Sequence, residues 1–236
     1  MTQITATYID HCGSDLSTVN AARVSFGKKS YCEETRWVEM GNWSGDMPVV
    51  SARDTKLINY LAKHNHISPF GHAFASFHVK APVFVARQLV KHKFLRWNEI
   101  SRRYVKSEPE FYSPVAWRKA AENIKQGSSD ESVDVAYYDR DDGYNDWPTE
   151  SNSIALESYQ EMLKLGVAPE MARMVLPQSL ITEWYWSGSL DAFSDMCRLR
   201  CASDTQYETR LVADDISKKM SELFPVSWSA LMVCRS

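Results

Sequence analysis

The segment from residue 91 to residue 104, KHKFLRWNEISRRY, combines the residue types best suited to chemistry. Seven cations surround the single acid Glu99 in the stretch from 87 to 106: Arg87, Lys91, Lys93, Arg96, Arg102, Arg103 and Lys106. Such a cluster can hold a phosphate ester, while Asn98, Glu99 and Ser101 offer groups that can read a polar heterocycle. The segment therefore predicts a nucleotide site; the alternative is the solvated face of a helix and its following loop.

The overall charge restricts the kind of partner. The chain has 27 Lys and Arg against 30 Asp and Glu, a net charge of −3, which argues against bulk binding to nucleic acid or to an acidic membrane surface. An anion site must then be local. Between Asp130 and Glu150 the sign reverses, because eight acids face Arg140 alone. That segment predicts a solvated loop or a short hairpin.

The apolar periodicity predicts an α+β fold that would position this chemistry. In chain order it indicates a helix at 52–65, a strand at 73–80, a helix from Pro82 to about Lys93, a long helix ending before Gly166, a short helix from Pro169 that carries Arg173, a strand at 179–186, a helix capped by Ser189 and a last helix capped by Asp204. The helix after Pro82 would present Gln88, Lys91 and His92 from one face. Neither GxGxxG nor GxxxxGK occurs, so the sequence supports neither a Rossmann fingerprint nor a P-loop.

The remaining composition indicates a folded intracellular protein. Five cysteines without CxxC spacing predict free thiols rather than a disulfide framework or a zinc ribbon. The longest strongly apolar stretch, at 81–86, is far shorter than the roughly 20 residues of a membrane span. The N-terminus lacks the pattern of a secretory signal. We therefore expect one domain over residues 1–236 in the cytoplasm, with an acidic insertion near 125–150 and no membrane association.

The segment at 91–104 resembles the signature RHRxxSxNExSxRY of the flavin-dependent thymidylate synthases (ThyX type). Six positions agree, namely His92, Asn98, Glu99, Ser101, Arg103 and Tyr104. Lys91 and Lys93 stand in place of arginines, and Arg96 in place of a serine. Further similar segments are AARVSF at 21–26, HISPFGH at 66–72, FHVKAPVFVARQ at 77–88, EFYSP at 110–114, MARMVLP at 171–177 and LRxxxxxQxE at 199–208. They follow the family's order along most of the chain.

The resemblance implies a ThyX-like fold with a central, mostly antiparallel sheet packed by helices. It also implies a homotetramer with shared active sites that makes dTMP from dUMP, using methylenetetrahydrofolate, FAD and NADPH and no protein nucleophile. The implied dUMP contacts are Gln88, Lys91, Glu99, Ser101, Arg102, Arg103, Arg173 and Arg200. The implied FAD contacts are Ser68, Lys91, His92, Lys93, Phe94, Glu99, Ser189, Asp191 and Asp195. Arg200 is the expected catalytic residue, because a guanidinium beside the uracil would stabilise developing negative charge.

The chain also departs from the family pattern, on the flavin side above all. Gly71 stands where the family has Glu, Asp195 where it has Asn, and Asp204 where it has His. Two alternatives therefore stay open: a pyrimidine-nucleotide C5 methyl- or hydroxymethyltransferase with altered or lost flavin use, and a nucleotide-binding homologue without activity. A metal site is the remaining rival, formed by the residues His64, His66, His72, His92 and Glu99. The similar segments explain His66, His72 and His92 without metal.

Overall fold

A computed structural model describes residues 4–105, 107–122, 127–139 and 143–234. The strands are β1 Thr5–Cys12, β2 Glu34–Met40, β3 Trp43–Val49, β4 Phe74–Pro82, β5 Arg96–Glu99, β6 Trp117–Arg118, β7 Ser132–Val133, β8 Ala136–Asp139, β9 Gly143–Asp146 and β10 Ile181–Ser189. The α-helices are α1 Asp15–Arg23, α2 Ala52–Lys63, α3 Val83–Leu89, α4 Trp147–Lys164, α5 Pro169–Ala172, α6 Leu190–Arg200, α7 Tyr207–Leu223 and α8 Pro225–Ser229. Short 3₁₀ turns occupy Val24–Phe26, Ser68–His72 and Arg173–Val175, and a π-helical turn occupies Ala230–Cys234.

A four-stranded antiparallel sheet in the order β1-β4-β10-β5 forms the centre of the fold. On β4 the side chains of Ala75, Phe77 and Val79 are buried, as the alternating pattern predicts. Helices α6 and α7 cover this face, and Phe193 of α6 packs edge-on against Phe77, with ring centroids 5.3 Å apart. This arrangement confirms the predicted α+β fold with a central antiparallel sheet.

The edge strand β5 carries part of the basic segment. It pairs with β10 so that Trp97 lies opposite Trp186 and Glu99 opposite Trp184. Trp97 stacks on Trp184 with ring centroids 4.2 Å apart, which anchors the strand by apolar and aromatic contact. Gly188 of β10 permits this approach, since a Cβ there would collide with the Leu95 side chain. The sheet thus fixes the position of the segment.

Several predicted element bounds need correction. Helix α3 ends at Leu89 rather than near Lys93, so Lys91 and His92 lie beyond the helix and do not share a helical face with Gln88. The pairing of the following strand with β10 outweighs helical propensity here. Pro82 is the last residue of β4 and the N-cap of α3, so it precedes the helix and is not part of its first turn.

The last long helix starts later than predicted. It begins at Tyr207 with Gln206 as its N-cap, so Asp204 is not the cap. The backbone of Asp204 instead packs close to Gly127, where a Cβ would lie 3.0 Å from the Asp204 carbonyl oxygen. The helix after β10 does begin behind Ser189, although the Ser189 side chain makes no capping hydrogen bond.

The acidic segment forms a hairpin in its described part. Strands β8 and β9 pair antiparallel, with Ala136 opposite Asp146. Asp146 then caps α4 by accepting a hydrogen bond from the Thr149 backbone N–H at 2.9 Å. Within the described residues, no helix is both long and apolar enough to cross a bilayer.

A buried ion pair joins α1 to α2. The Asp54 carboxylate, 4% exposed, accepts hydrogen bonds from Arg23 and from the Ser30 and Ser51 hydroxyls, the latter two at 3.0 Å. Burial acts to raise the pKa of the Asp54 carboxyl, but the hydrogen bonds from Arg23 and the two serines outweigh it, so the pKa lies below its usual value.

The Asp54→Asn substitution should lower the free energy of unfolding by about 3 kcal/mol at pH 7, because it leaves the Arg23 guanidinium, whose side chain is only 14% exposed, without its charge partner. A depressed carboxyl pKa contributes stability above the unfolded pKa and loses it as the pH falls through the folded pKa. The difference from wild type should therefore shrink below about pH 4. Urea unfolding at several pH values measures both effects. The exposed Asp46→Asn provides the control, and an equal change in the two variants would contradict the assignment.

Candidate functional site

Arg200 and His92 form the centre of the candidate site. Arg200 is the last residue of α6, and its Nε–H donates a hydrogen bond to Nε2 of His92 at 3.1 Å. An imidazole nitrogen that accepts a hydrogen bond carries no proton, so this contact requires neutral His92. Burial, followed by the nearby Arg200 charge, lowers the pKa of His92 to about 4, while Asp195 acts in the opposite direction. His92 is therefore neutral at physiological pH.

A cavity of about 480 Å³ lies beside Arg200. It falls within the size range of roughly 300–1,000 Å³ that is typical of small-molecule sites. Its lining comprises three cations, two amides and two small residues: Lys91, Arg118, Arg200, Gln88, Gln206, Gly127 and Ser128. The structure therefore brings together three of the residues proposed from the sequence, Gln88, Lys91 and Arg200. We call this space the Arg200 cavity.

Hydrogen bonds to α7 and its cap hold the Gln88 side chain in one orientation. The Thr209 hydroxyl donates to Oε1 of Gln88 at 3.1 Å, and Nε2 of Gln88 donates to Oε1 of Gln206. Sequence reasoning did not select Gln206, although it lies within the matching LRxxxxxQxE segment. Gln206 is the glutamine of that segment, so the resemblance could have identified it as a site residue.

Arg118 enters the same cavity from β6. Its Nη2 donates to Oε1 of the buried Glu208 at 2.7 Å, and its Nε donates to the Ser128 hydroxyl at 2.6 Å. Tyr112 donates to the same Glu208 oxygen at 3.3 Å, and burial together with the Glu208 charge raises the pKa of Tyr112 to about 12. No sequence signal pointed to Arg118, because it lies outside the similar segments.

The other predicted nucleotide contacts do not line the Arg200 cavity of the same chain. Arg102 and Arg103 line a separate space of about 400 Å³ next to Tyr159 of α4 and Pro169 of α5. There Nε of Arg103 donates to the Ser101 hydroxyl at 3.3 Å. We call this space the Arg103 cavity.

Two further residues that the sequence predicts as nucleotide contacts, Arg173 and Glu99, form hydrogen bonds within the chain. Arg173 is exposed in the 3₁₀ turn after α5, where its Nε donates to the Glu170 carbonyl at 3.3 Å. Glu99 is held on the sheet, because the Thr182 hydroxyl donates to Oε1 at 2.6 Å and the Trp97 indole N–H donates to Oε2 at 3.1 Å.

The residues expected to bind flavin lie along α6 and beside it. Ser189 and Asp191 stand at its N-terminal end, next to the 3₁₀ turn that starts at Ser68. Oδ1 of Asp191 is buried and lacks a hydrogen-bond partner among the residues that the structure describes. Gly71 lies beside that oxygen, and a Cβ there would be in ordinary van der Waals contact with it at 3.9 Å. A ligand hydroxyl or N–H could therefore satisfy Asp191.

The cations expected to contact the flavin lie in the turn between α3 and β5. Lys91 and Lys93 are exposed there on either side of His92. Phe94 turns the chain with a left-handed φ of 64°, a strained conformation for a non-glycine residue, and its side chain is 82% exposed. These residues fit FAD. The side-chain oxygens of Ser189 and Asp191 can accept hydrogen bonds from sugar hydroxyls and ring N–H groups, and Lys91 and Lys93 can pair with a pyrophosphate.

The histidine metal hypothesis gains no support. In residues 4–105, 107–122, 127–139 and 143–234, no three His, Cys, Asp or Glu side chains are grouped so that they could hold a metal ion. His64 and His66 instead lie against the Tyr60 ring, with centroid separations of 4.3 and 6.1 Å.

Comparison with known proteins shows extended similarity. The model of the family described as thymidylate synthase complementing protein matches residues 7–226. A flavin-dependent thymidylate synthase of Thermus thermophilus is 37% identical over 227 residues, covering 94% of this chain and 73% of that protein. The corresponding protein of Kosmotoga olearia is 35% identical over 227 residues, covering 95% of this chain and 88% of its own.

Solved structures show the same similarity. The crystal structure of the UMP/dUMP methylase PolB from Streptomyces cacaoi, bound with 5-Br dUMP, superposes with a TM-score of 0.74 at 28% identity. That match covers 97% of this chain and 94% of the PolB chain. The PolB structure bound with 5-Br UMP gives a TM-score of 0.72 at 27% identity.

The Arg200→Gln substitution should raise the pKa of His92 from about 4 toward its ordinary value, because it removes the neighbouring positive charge while burial remains. The pH titration of the imidazole C–H signals by NMR measures this shift. Arg198→Gln, an exposed change on the same helix, is the control and should leave the titration unaltered. An unchanged His92 pKa in Arg200→Gln would refute the proposed electrostatic coupling.

Proposed function

The chain belongs to the thymidylate synthase complementing protein family, and from this premise we propose that it is a flavin-dependent thymidylate synthase that methylates dUMP at C5 to give dTMP. The observation that carries the proposal is the Arg200 cavity, which joins Gln88, Lys91 and Arg200 in one site of nucleotide size. Similarity to relatives named for this activity, and to a methylase bound to 5-Br dUMP, supports the same substrate.

Within this proposal Arg200 is the residue that stabilises negative charge as the pyrimidine is activated. Neutral His92 accepts a hydrogen bond from the Nε–H of Arg200. This bond orients the guanidinium, and because His92 is uncharged it adds no second cation to the site. A preorganised donor of this kind stabilises a transition state without reorganisation during the reaction. Gln88, oriented by its bonds to Thr209 and Gln206, is placed to hydrogen-bond the nucleotide.

Within this proposal no cysteine acts as a nucleophile, and Cys197 in particular is unsuited to that role. Cys197 on α6 is fully buried, and burial raises the pKa of its thiol well above the usual value. A buried thiol of raised pKa is a poor nucleophile. Its role is packing between α6 and α7, where its thiol contacts the Ala213 carbonyl.

FAD, methylenetetrahydrofolate and NADPH belong to the same proposal, with NADPH as reductant and the folate as one-carbon donor. The residues that would hold the flavin are Ser68, Lys91, His92, Lys93, Phe94, Glu99, Ser189, Asp191 and Asp195. When bound, the flavin supplies the hydride that the reaction requires. The chain's own contribution is the buried Asp191 oxygen as an acceptor and the lysines beside His92 as phosphate partners.

We further propose that the active site is shared between subunits of a homotetramer. In one chain Arg200 and Arg103 line two different cavities, although the proposed reaction needs both groups at one nucleotide. Exposed apolar side chains, including Leu199 next to Arg200 in α6 at 55% and Phe26 at 78%, would be covered by neighbouring subunits. Ser101, Arg102, Arg103 and Arg173 would then complete the site of a neighbouring subunit.

The cytoplasmic location of the protein stays a prediction.

A product assay with dUMP, methylenetetrahydrofolate, NADPH and FAD tests the function directly. We expect dTMP in the complete mixture and none without FAD, and Arg200→Lys should lower turnover by about a hundredfold or more while dUMP affinity falls less. Arg198→Lys is the matched control, with wild-type turnover expected. UMP assayed in parallel reports sugar selectivity. Absence of dTMP from a folded protein that binds FAD and dUMP would reject the proposal.

Mixing inactive variants tests the shared site. Arg200→Ala and Arg103→Ala subunits assembled together at equal amounts should recover about a quarter of wild-type activity, because that fraction of sites receives both intact residues. Arg200→Ala mixed with Lys91→Ala is the control, since both residues line the cavity of one chain and no intact site can form. Equal recovery in the two mixtures, or none in mixed tetramers of the first pair, would exclude sharing.

A further inference from the structure

Arg118 places a guanidinium in the Arg200 cavity from a part of the chain outside the family signature. It comes from the two-residue strand β6, which pairs with β7, whereas Lys91 reaches the cavity from the turn after α3. Position 91 is one of the two places where the signature has arginine and this chain has lysine. The cavity therefore contains a guanidinium at 118 and an ammonium at 91.

Three contacts fix the Arg118 side chain before any ligand arrives. Nη2 pairs with Glu208, Nε donates to Ser128, and the guanidinium carbon lies 4.7 Å from the centroid of the Tyr207 ring. The Arg118 side chain is 23% exposed and Glu208 only 4%. A side chain already held in this way loses little conformational entropy when it binds a ligand.

Donors remain for a ligand. A guanidinium has five N–H groups, and in the described part of the chain only one bond from Nε and one from Nη2 are made, with none from Nη1. Glu208 neutralises much of the Arg118 charge, so the contribution of Arg118 is directional hydrogen bonding, while Lys91 and Arg200 supply net positive charge. Planar paired donors match two oxygens of a phosphate in a way that an ammonium cannot.

We propose that Arg118 is a substrate-binding residue whose paired N–H donors hold the 5′-phosphate of the pyrimidine nucleotide, in place of the signature's arginine fork at position 91, where this chain has lysine. This inference rests on the proposed function, because it takes the nucleoside monophosphate as the ligand. It adds to the site a residue from a segment that matches no motif.

Calorimetric titration with dUMP and with deoxyuridine, which lacks the phosphate, tests the proposal. Arg118→Lys should weaken dUMP binding about tenfold or more, the equivalent of one charge-assisted contact, and leave deoxyuridine binding unchanged. Adding Lys91→Arg should restore most of the dUMP affinity, since the fork returns to the same cavity. A role confined to pairing with Glu208 predicts no such rescue.

Arg210→Lys is the matched control, because Arg210 contacts the same Tyr207 ring at 5.7 Å and bonds the Ser203 carbonyl without lining the cavity. It should bind dUMP like wild type. Should Arg118→Lys fail to fold, the double variant Arg118→Gln/Glu208→Gln keeps a hydrogen-bonded pair without charge and should show the same selective loss.

The two hypotheses fail in different ways. Unchanged dUMP affinity in either folded Arg118 variant, or equal losses of dUMP and deoxyuridine without rescue, would overturn the role of Arg118 alone. Failure of wild-type protein to bind dUMP would overturn both that role and the proposed function.

Discussion

The hydrogen-bonded pairing of β10 with its two neighbours is the interaction on which the rest of the structure depends. On one side β10 pairs with β4, and on the other with β5, which carries Glu99. The same strand leads through Ser189 into α6, and the backbone N–H of Leu190 donates to the Ala73 carbonyl at 2.9 Å. Because α6 ends at Arg200, one strand determines where both Glu99 and Arg200 lie.

Two buried carboxylates near this framework are each paired with an arginine. Glu208 is neutralised by Arg118, and Asp54 by Arg23, each across long sequence separations. Removing one partner of such a pair costs far more than the pair contributes, because the remaining charge is uncompensated. These pairs therefore constrain which segments can dock, and in the case of Glu208 the constraint also shapes the wall of the Arg200 cavity.

The sequence predicted what depends on local pattern and missed what depends on distant contacts. The alternation of Ala75, Phe77 and Val79 identified β4, because a strand buries every second side chain. The end of α3 was misplaced, since the pairing of Trp97 with Trp186 draws the chain out of the helix. The sequence did not predict a role for Arg118, because the position of its side chain depends on Glu208, which is 90 residues away. Likewise, the separation of Arg103 from Arg200 is a property of the fold that no motif contains.

The indole cluster at the junction of β5 and β10 gives the molecule an optical property. Trp97, Trp184 and Trp186 lie with ring centroids 4.2 to 6.4 Å apart, one pair stacked and two pairs edge-on. At such separations the electronic transitions of neighbouring indoles couple, and the coupling depends on their mutual orientation. The cluster should therefore contribute a coupled signal to the near-ultraviolet circular dichroism and to the tryptophan emission. Since Trp97 belongs to the signature segment, those spectra report from within the protein whether that segment is docked on the sheet.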